Sequence, residues 1–385
     1  MVSFALSEDQ QLIQETVRKF ALDELRPRAR EVEKSGAVPT ALRKKFAELG
    51  VTTCDLPEAA GGMGLTTAVL VHEELAFGDP GLAVALWGPH LVPSALVELG
   101  DEAQARRWLP RLAGAETRGA VAWSEKGPGL PEAGFAATAR REGDGWILDG
   151  DKAFVVNGDG ADVLVAFAQI DPAAGWEGVG AFVVEGAKLT PGARCAWGGL
   201  QAVGAAEVSL RGVRVADEDR LARGGDLPSL ARFFARAQVM SAARQVGLAR
   251  AAYEFALGYT QDRVAFGKPV AHFQSVAFDL AEMLMEVDAA RWMVWRAAAE
   301  LDAGSPDGVA TAAAAAVQAN QGAWRVADDA VQLLGGAGFI RDFPPEKWLR
   351  DTKVLAVLGQ VDELSRQIVV HGPALPAPWL QPVVT

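Results

Sequence analysis

With 385 residues, of which 50% are hydrophobic and 22% charged, the chain has the composition of a folded protein with room for two or three subdomains. Its formal net charge of -12 argues against a nucleic-acid-binding function, because the long-range field repels polyanions. The four histidines follow no metal-binding spacing, so we expect no metal.

The chain carries no signal typical of secretion or of a membrane anchor. Its first residues lack a basic segment followed by a long apolar run. The longest apolar window, around Val309 to Val317, is alanine-rich and too short to span a bilayer. We therefore expect a cytoplasmic protein that contacts no membrane.

The first third of the chain has a helical pattern. Ser7 and Gln10 form a capping-box signal, and apolar residues then recur at helical spacing. Further helical patterns cover Leu42 to Leu49, Ala68 to Phe77, Pro93 to Leu99 and Glu102 to Leu112. We predict an N-terminal α-helical domain over residues 1–118.

The pattern changes near residue 119 to short apolar runs separated by Gly, Asp and Pro. Such runs are typical of strands, and they predict a β-sheet or β-barrel domain over residues 119–226. The pair Asp149-Gly150 lies between two of these runs and is typical of a two-residue hairpin turn. We predict a hairpin there.

The helical period returns after residue 226 and predicts a four-helix bundle over residues 227–385, ending in an extended proline-rich tail. The predicted helices are Ser229 to Asp262, Phe273 to Ala303, Val309 to Leu334 and Pro345 to Val370. The sequence thus predicts an α+β multidomain fold, with a helical domain, a β domain and a helical bundle in that order.

Two turns in the bundle region carry residues suited to an anion. Arg263 stands at a predicted helix end, before a turn at Phe266, and a guanidinium can donate two hydrogen bonds to a phosphate. An arginine at a helix end also compensates the helix dipole. Gln332, Gly335 and Gly336 follow another helix, where paired glycines let backbone N–H groups approach an anion, although a glycine helix stop has the same pattern. Because these glycines follow a helix and not a strand, they do not form a Rossmann fingerprint.

Five motifs occur together with this order of domains: LPEAAGGMGL, WSEKGPG, RVAFGKPVAHFQ, QLLGGAGF and EKWLRDTKV. From Phe4 to about His371 the chain resembles the acyl-CoA dehydrogenase family of FAD-dependent oxidoreductases. The resemblance implies a tetramer, FAD shared across a subunit interface, and α,β-dehydrogenation of an acyl-CoA thioester in fatty acid or steroid catabolism. In that reaction a carboxylate removes the α-proton and the flavin accepts a hydride, whose electrons pass to an electron-transfer flavoprotein.

The resemblance assigns the two bundle turns to a neighbouring subunit. In the family pattern the R-x-x-F-G and Q-x-x-G-G turns contact the ADP half of the FAD bound next door. The matching residues here are Arg263, Phe266, Gln332, Gly335 and Gly336. The resemblance therefore implies that this chain can complete the FAD site of a neighbour.

The residues that would hold the chain's own flavin depart from the family pattern. Ser124 stands in the expected motif, and Phe154 is placed to stack at the flavin. Val156, however, stands where the family has a Thr near the flavin N5 edge. The family's Gly-x-Gly-Ser-Asp string is replaced by Gly127 to Pro131. Two polar contacts to the flavin are thus replaced by apolar residues.

The resemblance also implies that the usual catalytic base is missing. Gly359 to Val361 replace the family's Glu-Gly-Thr, and the alternative base position on the first bundle helix is about Ala237. Asp362 and Glu363 lie nearby, but acids near a helix end are usually solvated. His90 is a candidate replacement in the region expected to line the acyl pocket, although a lone histidine is more often structural.

Three functions stay open at this point. The chain could be the base-deficient subunit of a hetero-oligomer, inactive alone, that completes the FAD site of a dehydrogenase partner in a tetramer of the α2β2 type. It could be a homotetrameric flavoprotein that acts on an acyl-CoA with an atypical base or in a different reaction. It could also be a non-catalytic binding or scaffold protein of the same fold. The first explains why the outward residues are kept while the pocket residues are replaced.

Overall fold

The computed structural model describes residues 5–112, 117–127, 134–358, 365–366 and 368–369. Seven α-helices come first, followed by seven strands and then four further α-helices within this described part. The predicted α+β architecture is therefore confirmed. The domain limits at residues 118 and 226 stay predictions.

The N-terminal helices are short, and two of them are almost wholly buried. Ser7 accepts a hydrogen bond from the Gln10 backbone, and the Gln10 side chain accepts one from the Ser7 backbone, so the predicted capping box is present. The helices are α1 (Glu8–Phe20), α2 (Ala29–Ser35), α3 (Thr40–Glu48), α4 (Leu65–Gly78), α5 (Pro80–Trp87), α6 (Leu91–Leu99) and α7 (Glu102–Leu112). Helices α4 and α5 are almost wholly buried because they are apolar on nearly every side.

One described segment, Pro80–Leu99, has the length and apolar composition of a membrane-spanning helix. It is not one continuous helix, since the turn at Gly88–His90 separates α5 from α6. Some 78% of its most apolar window is buried inside the protein. The segment is thus part of the protein core.

Seven strands form one curled sheet. They are β1 (Gly119–Ala122), β2 (Thr138–Glu142), β3 (Gly145–Val155), β4 (Val163–Gln169), β5 (Val179–Glu185), β6 (Thr190–Arg194) and β7 (Ala206–Ala216). Their order is β1-β4-β2-β3-β7-β6, with β5 paired to β4. Strands β1 and β4 are parallel and fully buried, which explains their continuous apolar runs.

The hairpin predicted at Asp149-Gly150 is wrong. Strand β3 runs straight through this pair, and the turn that joins β2 to β3 lies at Gly143 and Asp144. Gly143 has a φ of 64°, as such a turn requires. Gly150 instead lies at a register shift against β7, where a Cβ would approach the Ala137 Cα to 2.6 Å. This glycine allows close backbone approach and makes no turn.

The C-terminal helices are α8 (Leu227–Asp262), α9 (Gln274–Asp302), α10 (Gly308–Leu333) and α11 (Pro345–Val357). The predicted last helix is not continuous. Leu358 has a ψ of 124°, so α11 ends at Val357, and the described residues 365–366 and 368–369 are again helical. Short connections make α8, α9 and α10 successive antiparallel neighbours, so the ends of α8 and α10 lie at the same end of the bundle.

A buried ion cluster fixes α11 against the N-terminal helices. Lys347 donates to Asp79 and to Asp351, each at 2.5 Å, and all three side chains are almost fully enclosed. Asp351 also accepts a hydrogen bond from the Leu200 backbone at 2.7 Å. Because Asp79 caps α5, the cluster joins α5, α11 and the loop before β7. Helices α5 and α11 both contribute to the wall of the pocket described next.

Candidate functional site

A cavity of about 70 Å³ lies between α5, α8, α11 and the edge of the sheet. Helix α8 contributes Ala237, Met240, Ser241 and Arg244. Residues three or four apart share one face of a helix, so this spacing places the four side chains in one stripe. Apolar residues supply most of the remaining wall: Val84, Trp87, Leu91, Val121, Trp123, Val156, Leu355 and Leu358.

The sheet contributes Ser124 and Phe154 to the same cavity. The Ala153 backbone N–H donates to the Ser124 carbonyl at 2.9 Å, which ties the two segments together. Beside this bond, Lys152 forms a buried ion pair with Glu125 at 2.6 Å. Burial lowers the pKa of Lys152 to about 8, although the Glu125 carboxylate opposes that shift. The ion pair therefore holds two predicted cofactor-contacting residues at the pocket.

Phe154 has an unusual backbone. Its φ is 55°, in the left-handed region that large side chains rarely occupy. Its ring stacks on Trp197 with centroids 6.4 Å apart and planes 13° from parallel, and 42% of the residue is exposed. Strained residues of this kind cluster at binding sites, where surrounding contacts maintain them. Phe154 is thus held in a fixed orientation at the mouth of the pocket.

Within the described wall of this pocket there is no Asp, Glu or His. Arg244 is the one ionisable side chain among those lining residues, and its pKa, lowered by burial to about 10, keeps it protonated at neutral pH. The replaced base position at Gly359 to Val361, the nearby Asp362 and Glu363, and residues 128–133 of the altered flavin loop lie outside the described residues.

His90 does not line this pocket, contrary to expectation. It is the last residue of the turn Gly88–His90 and faces a separate, smaller cavity that Arg43 and Arg118 also line. The centroid of its ring lies 6.1 Å from that of the Phe46 ring. Burial, aided by the Arg43 charge, lowers the pKa of His90 to about 4, so its imidazole is neutral at physiological pH. The turn directs the side chain toward α3 and away from the stripe on α8.

The predicted Arg263 turn is an exposed hairpin at the end of α8. Strands β8 (Val264–Ala265) and β9 (Lys268–Pro269) pair around Phe266, whose φ is 51°. Phe266 is 95% exposed, and Arg263 is also exposed. In the part of the chain that the structure describes, the Arg263 side chain has no hydrogen bond and no ion pair. The hairpin thus presents an aromatic ring and a guanidinium to the exterior.

Gln332, Gly335 and Gly336 are exposed at the end of α10. Gly335 has a φ of 60°, which favours glycine, and a Cβ at either glycine would meet no atom within 4 Å. Gly338 differs, since its Cβ would lie 2.2 Å from the Val331 carbonyl oxygen. The fold therefore requires glycine at Gly338 and explains Gly335, but no internal contact explains Gly336. An open glycine allows an external group to approach the backbone.

The two exposed turns lie close together. The rings of Tyr259, one turn before Arg263, and Phe343, just after the glycine turn, meet edge to face at 6.0 Å. The structure thus brings Arg263, Phe266 and Gln332 to one end of the bundle, which we call the exposed end together with Gly335 and Gly336. Ser124 and Phe154 belong to the pocket.

Arg244 is a site residue that the sequence reasoning missed. The only signal was its spacing from Ala237 and Ser241, which places it on the same helix face. Among the described residues, no group of three or more His, Cys, Asp or Glu side chains could hold a metal ion.

Comparisons with known proteins agree with this layout. Residues 7–116 match the N-terminal domain of acyl-CoA dehydrogenases, and residues 227–372 match their C-terminal domain. Cyclohex-1-ene-1-carbonyl-CoA dehydrogenase of Geobacter metallireducens is 34% identical over 373 residues, which cover 94% of this chain and 97% of that protein.

Solved structures are similar over nearly the whole chain. Butyryl-CoA dehydrogenase from Megasphaera elsdenii superposes with a TM-score of 0.89 at 29% identity, covering 96% of this chain and 99% of the other. The FAD complex of PigA superposes with a TM-score of 0.89 at 26% identity, covering 96% and 98%.

Proposed function

The chain belongs to the acyl-CoA dehydrogenase family of FAD-dependent flavoproteins, and we propose that it is the base-deficient subunit of a hetero-oligomer, completing the FAD site of an active partner. The observation that carries this proposal is a contrast. The exposed end keeps every residue that the family uses toward a neighbour's cofactor, whereas the described pocket wall has no residue able to remove a proton.

The exposed end suits the anionic half of FAD. Arg263 is a solvated guanidinium with no partner in the described part of the chain, so binding a phosphate breaks no internal ion pair. Gly336 leaves its backbone N–H open to an approaching group, and Gln332 adds a side-chain donor. Phe266 offers an exposed ring beside them.

The described wall of the pocket lacks the group that the family's reaction needs. Removal of an α-proton requires a positioned base with a pKa near the working pH. Ser124 and Ser241 are the hydroxyls in the described wall, and neither has a described Asp, Glu or His beside it in that wall. Arg244 remains protonated. The pocket is therefore expected to hold a ligand without dehydrogenating it.

FAD, when bound, would supply the hydride acceptor for the partner's reaction. This chain's own part would be to bind and orient it. Arg263 would neutralise phosphate charge, the open glycine turn would supply backbone donors, and Phe266 would cover the cofactor from solvent. Rigid orientation of the acceptor contributes to the rate even though these residues do not contact the reacting atoms.

The proposal is tested by purifying the chain alone and together with the product of a neighbouring gene of the same family. We expect little flavin and no turnover with short-chain acyl-CoA from the chain alone, and yellow, active complex from the pair. Flavin content is read from the visible absorbance, and activity from reduction of an artificial electron acceptor. Stoichiometric flavin with turnover in the chain alone would contradict the partner role.

Arg263→Ala in the complex tests the exposed end directly. Loss of a charge-assisted hydrogen bond worth about 1.5 to 3 kcal/mol should weaken FAD binding roughly 10- to 100-fold, without unfolding the subunit. Arg296→Ala is the matched control, because Arg296 is exposed near the opposite end of α9 and pairs with Glu300 on the same helix. Equal flavin retention in both variants would count against the assignment.

A homotetrameric flavoprotein with an atypical reaction is the second candidate. Ser124 and Phe154 both reach the pocket and favour it, because a subunit without its own cofactor has no need of them there. Under this alternative, the chain alone binds flavin in full, and Arg263→Ala removes flavin from that homo-oligomer.

A further inference from the structure

Arg244 is a buried arginine that faces the pocket without a counter-ion in contact. It is 8% exposed, and its guanidinium lies 5.2 Å from the centre of the Trp87 ring. No hydrogen bond or ion pair involves its side chain among the described residues, and its Nε is fully enclosed. A buried charge is retained at a cost of several kcal/mol unless something pairs with it.

Asp55 is the carboxylate whose field acts on Arg244, but it lies beyond ion-pair distance. Its Oδ2 accepts a hydrogen bond from Ser94, and Arg236 donates to its backbone carbonyl and shares its field. Burial raises the pKa of Asp55 to about 6, against the effect of Arg236. The guanidinium of Arg244 therefore has only a shared and distant counter-charge.

Other polar groups around Arg244 are also without partners in the described structure. Both ring nitrogens of His72, the Trp87 Nε1 and both amide atoms of Gln238 are buried and make no hydrogen bond. His72 meets Trp87 edge to face at 4.5 Å, and Gln238 lies on α8 beside the stripe that lines the pocket. Such groups are rare in folded proteins. Trp87 lines the cavity, whereas His72 and Gln238 lie behind its wall, so the surroundings of Arg244 are polar but offer it no counter-charge in contact.

The rest of the wall is apolar, which restricts the kind of ligand. Leu91, Met240 and Leu355 surround the cavity, and its volume of about 70 Å³ leaves room for a short group only. A phosphate would need several donors, and Arg244 is the one cation in the described lining. A carboxylate on a short hydrocarbon body fits both the guanidinium fork and the apolar wall.

We propose that the pocket of this chain binds a short acyl group that ends in a carboxylate, paired with the Arg244 guanidinium. The inference rests on the proposed function only for the class of ligand, which is an acyl-CoA. It concerns this chain's own pocket and requires no partner and no turnover. It assigns a specificity-determining residue to a wall that otherwise selects for hydrocarbon.

Two probes of equal chain length test the assignment: glutaryl-CoA, which ends in a carboxylate, and valeryl-CoA, which ends in a methyl group. Calorimetric titration of the purified full chain should give a dissociation constant roughly 10- to 100-fold lower for glutaryl-CoA, as for a hydrogen-bonded charge pair. In Arg244→Gln this preference should vanish, and in Arg244→Lys it should survive in part. A ratio near one in the unmodified chain, no binding of either probe, or an unchanged ratio in Arg244→Gln would each overturn the proposal.

Two further variants serve as controls for the role of Arg244. Arg244→Met removes the charge at similar volume and should melt no lower than the unmodified chain, while losing the preference. The double variant Asp362→Asn with Glu363→Gln should keep the preference for glutaryl-CoA. If that preference appeared only in the double variant, an internal carboxylate would be the partner of Arg244. The proposal would then be wrong. Flavin content of the complex is measured separately, so failure here leaves the partner role testable.

Discussion

The exposed end and the pocket contain similar residues, but those of the exposed end face solvent and those of the pocket are largely buried. Each contains an arginine without a described partner, Arg263 and Arg244, and each contains a phenylalanine in the left-handed region, Phe266 and Phe154. At the exposed end the charge is solvated, so it costs little when nothing is bound. In the pocket the charge is desolvated. An unpaired arginine therefore needs no explanation at the surface, whereas one in the interior indicates a ligand.

The largest expected effect tests whether the pocket depends on its buried ion pair. Lys152→Met leaves the enclosed Glu125 carboxylate without its cation and should lower the free energy of unfolding by about 3 to 5 kcal/mol, as measured by urea denaturation. Lys126→Met is the control, because the Lys126–Glu207 pair is exposed and its loss should leave the free energy of unfolding almost unchanged. Equal losses would remove the distinction between enclosed and exposed charges.

Acid stability should depend on His90, which is buried outside both regions. The pKa of His90 is lowered from 6.5 to about 4, so the unfolded chain binds a proton that the folded chain refuses in this range. Stability is therefore lost as the pH falls from about 6.5 toward 4, by about 2 kcal/mol between pH 7.5 and pH 5. His90→Gln should remove this share of the loss, as read from denaturant midpoints at the two pH values, while the share due to His72, whose pKa burial also lowers, should stay.

The smallest effect concerns strain at the exposed end. Phe266 adopts a φ of 51° while 95% exposed, and its one described ring contact is an edge-to-face approach to Phe273 at 6.3 Å, so little burial compensates for its backbone. Phe266→Asn should raise the free energy of unfolding of the isolated chain by about 1 kcal/mol and yet reduce the flavin content of the complex. Phe278→Asn, at an exposed site within α9, should instead be slightly destabilising. Destabilisation by Phe266→Asn would show that the strain serves the fold.

Elements with a strong local signal could be predicted. The box at Ser7 and the helix ending at Asp262 were found because capping and helical periodicity act between residues close in the chain. The pair Asp149-Gly150 misled, because its turn preference lost to the pairing of β3 with β7. His90 was misplaced because a sequence does not tell which way a short turn directs a side chain.

By itself, the sequence determined the order of helices and strands and the residues of the exposed end, since both depend on local pattern and on motifs at fixed spacing. Only the tertiary structure decided that Arg244 is buried beside Trp87, that the described pocket wall lacks an acid or imidazole, and that Gly336 is open to the exterior. The physical reason is burial. Whether a charge is solvated, paired or enclosed depends on residues far away in the chain. The residues next to Arg244 in the sequence do not indicate which distant residues will surround it.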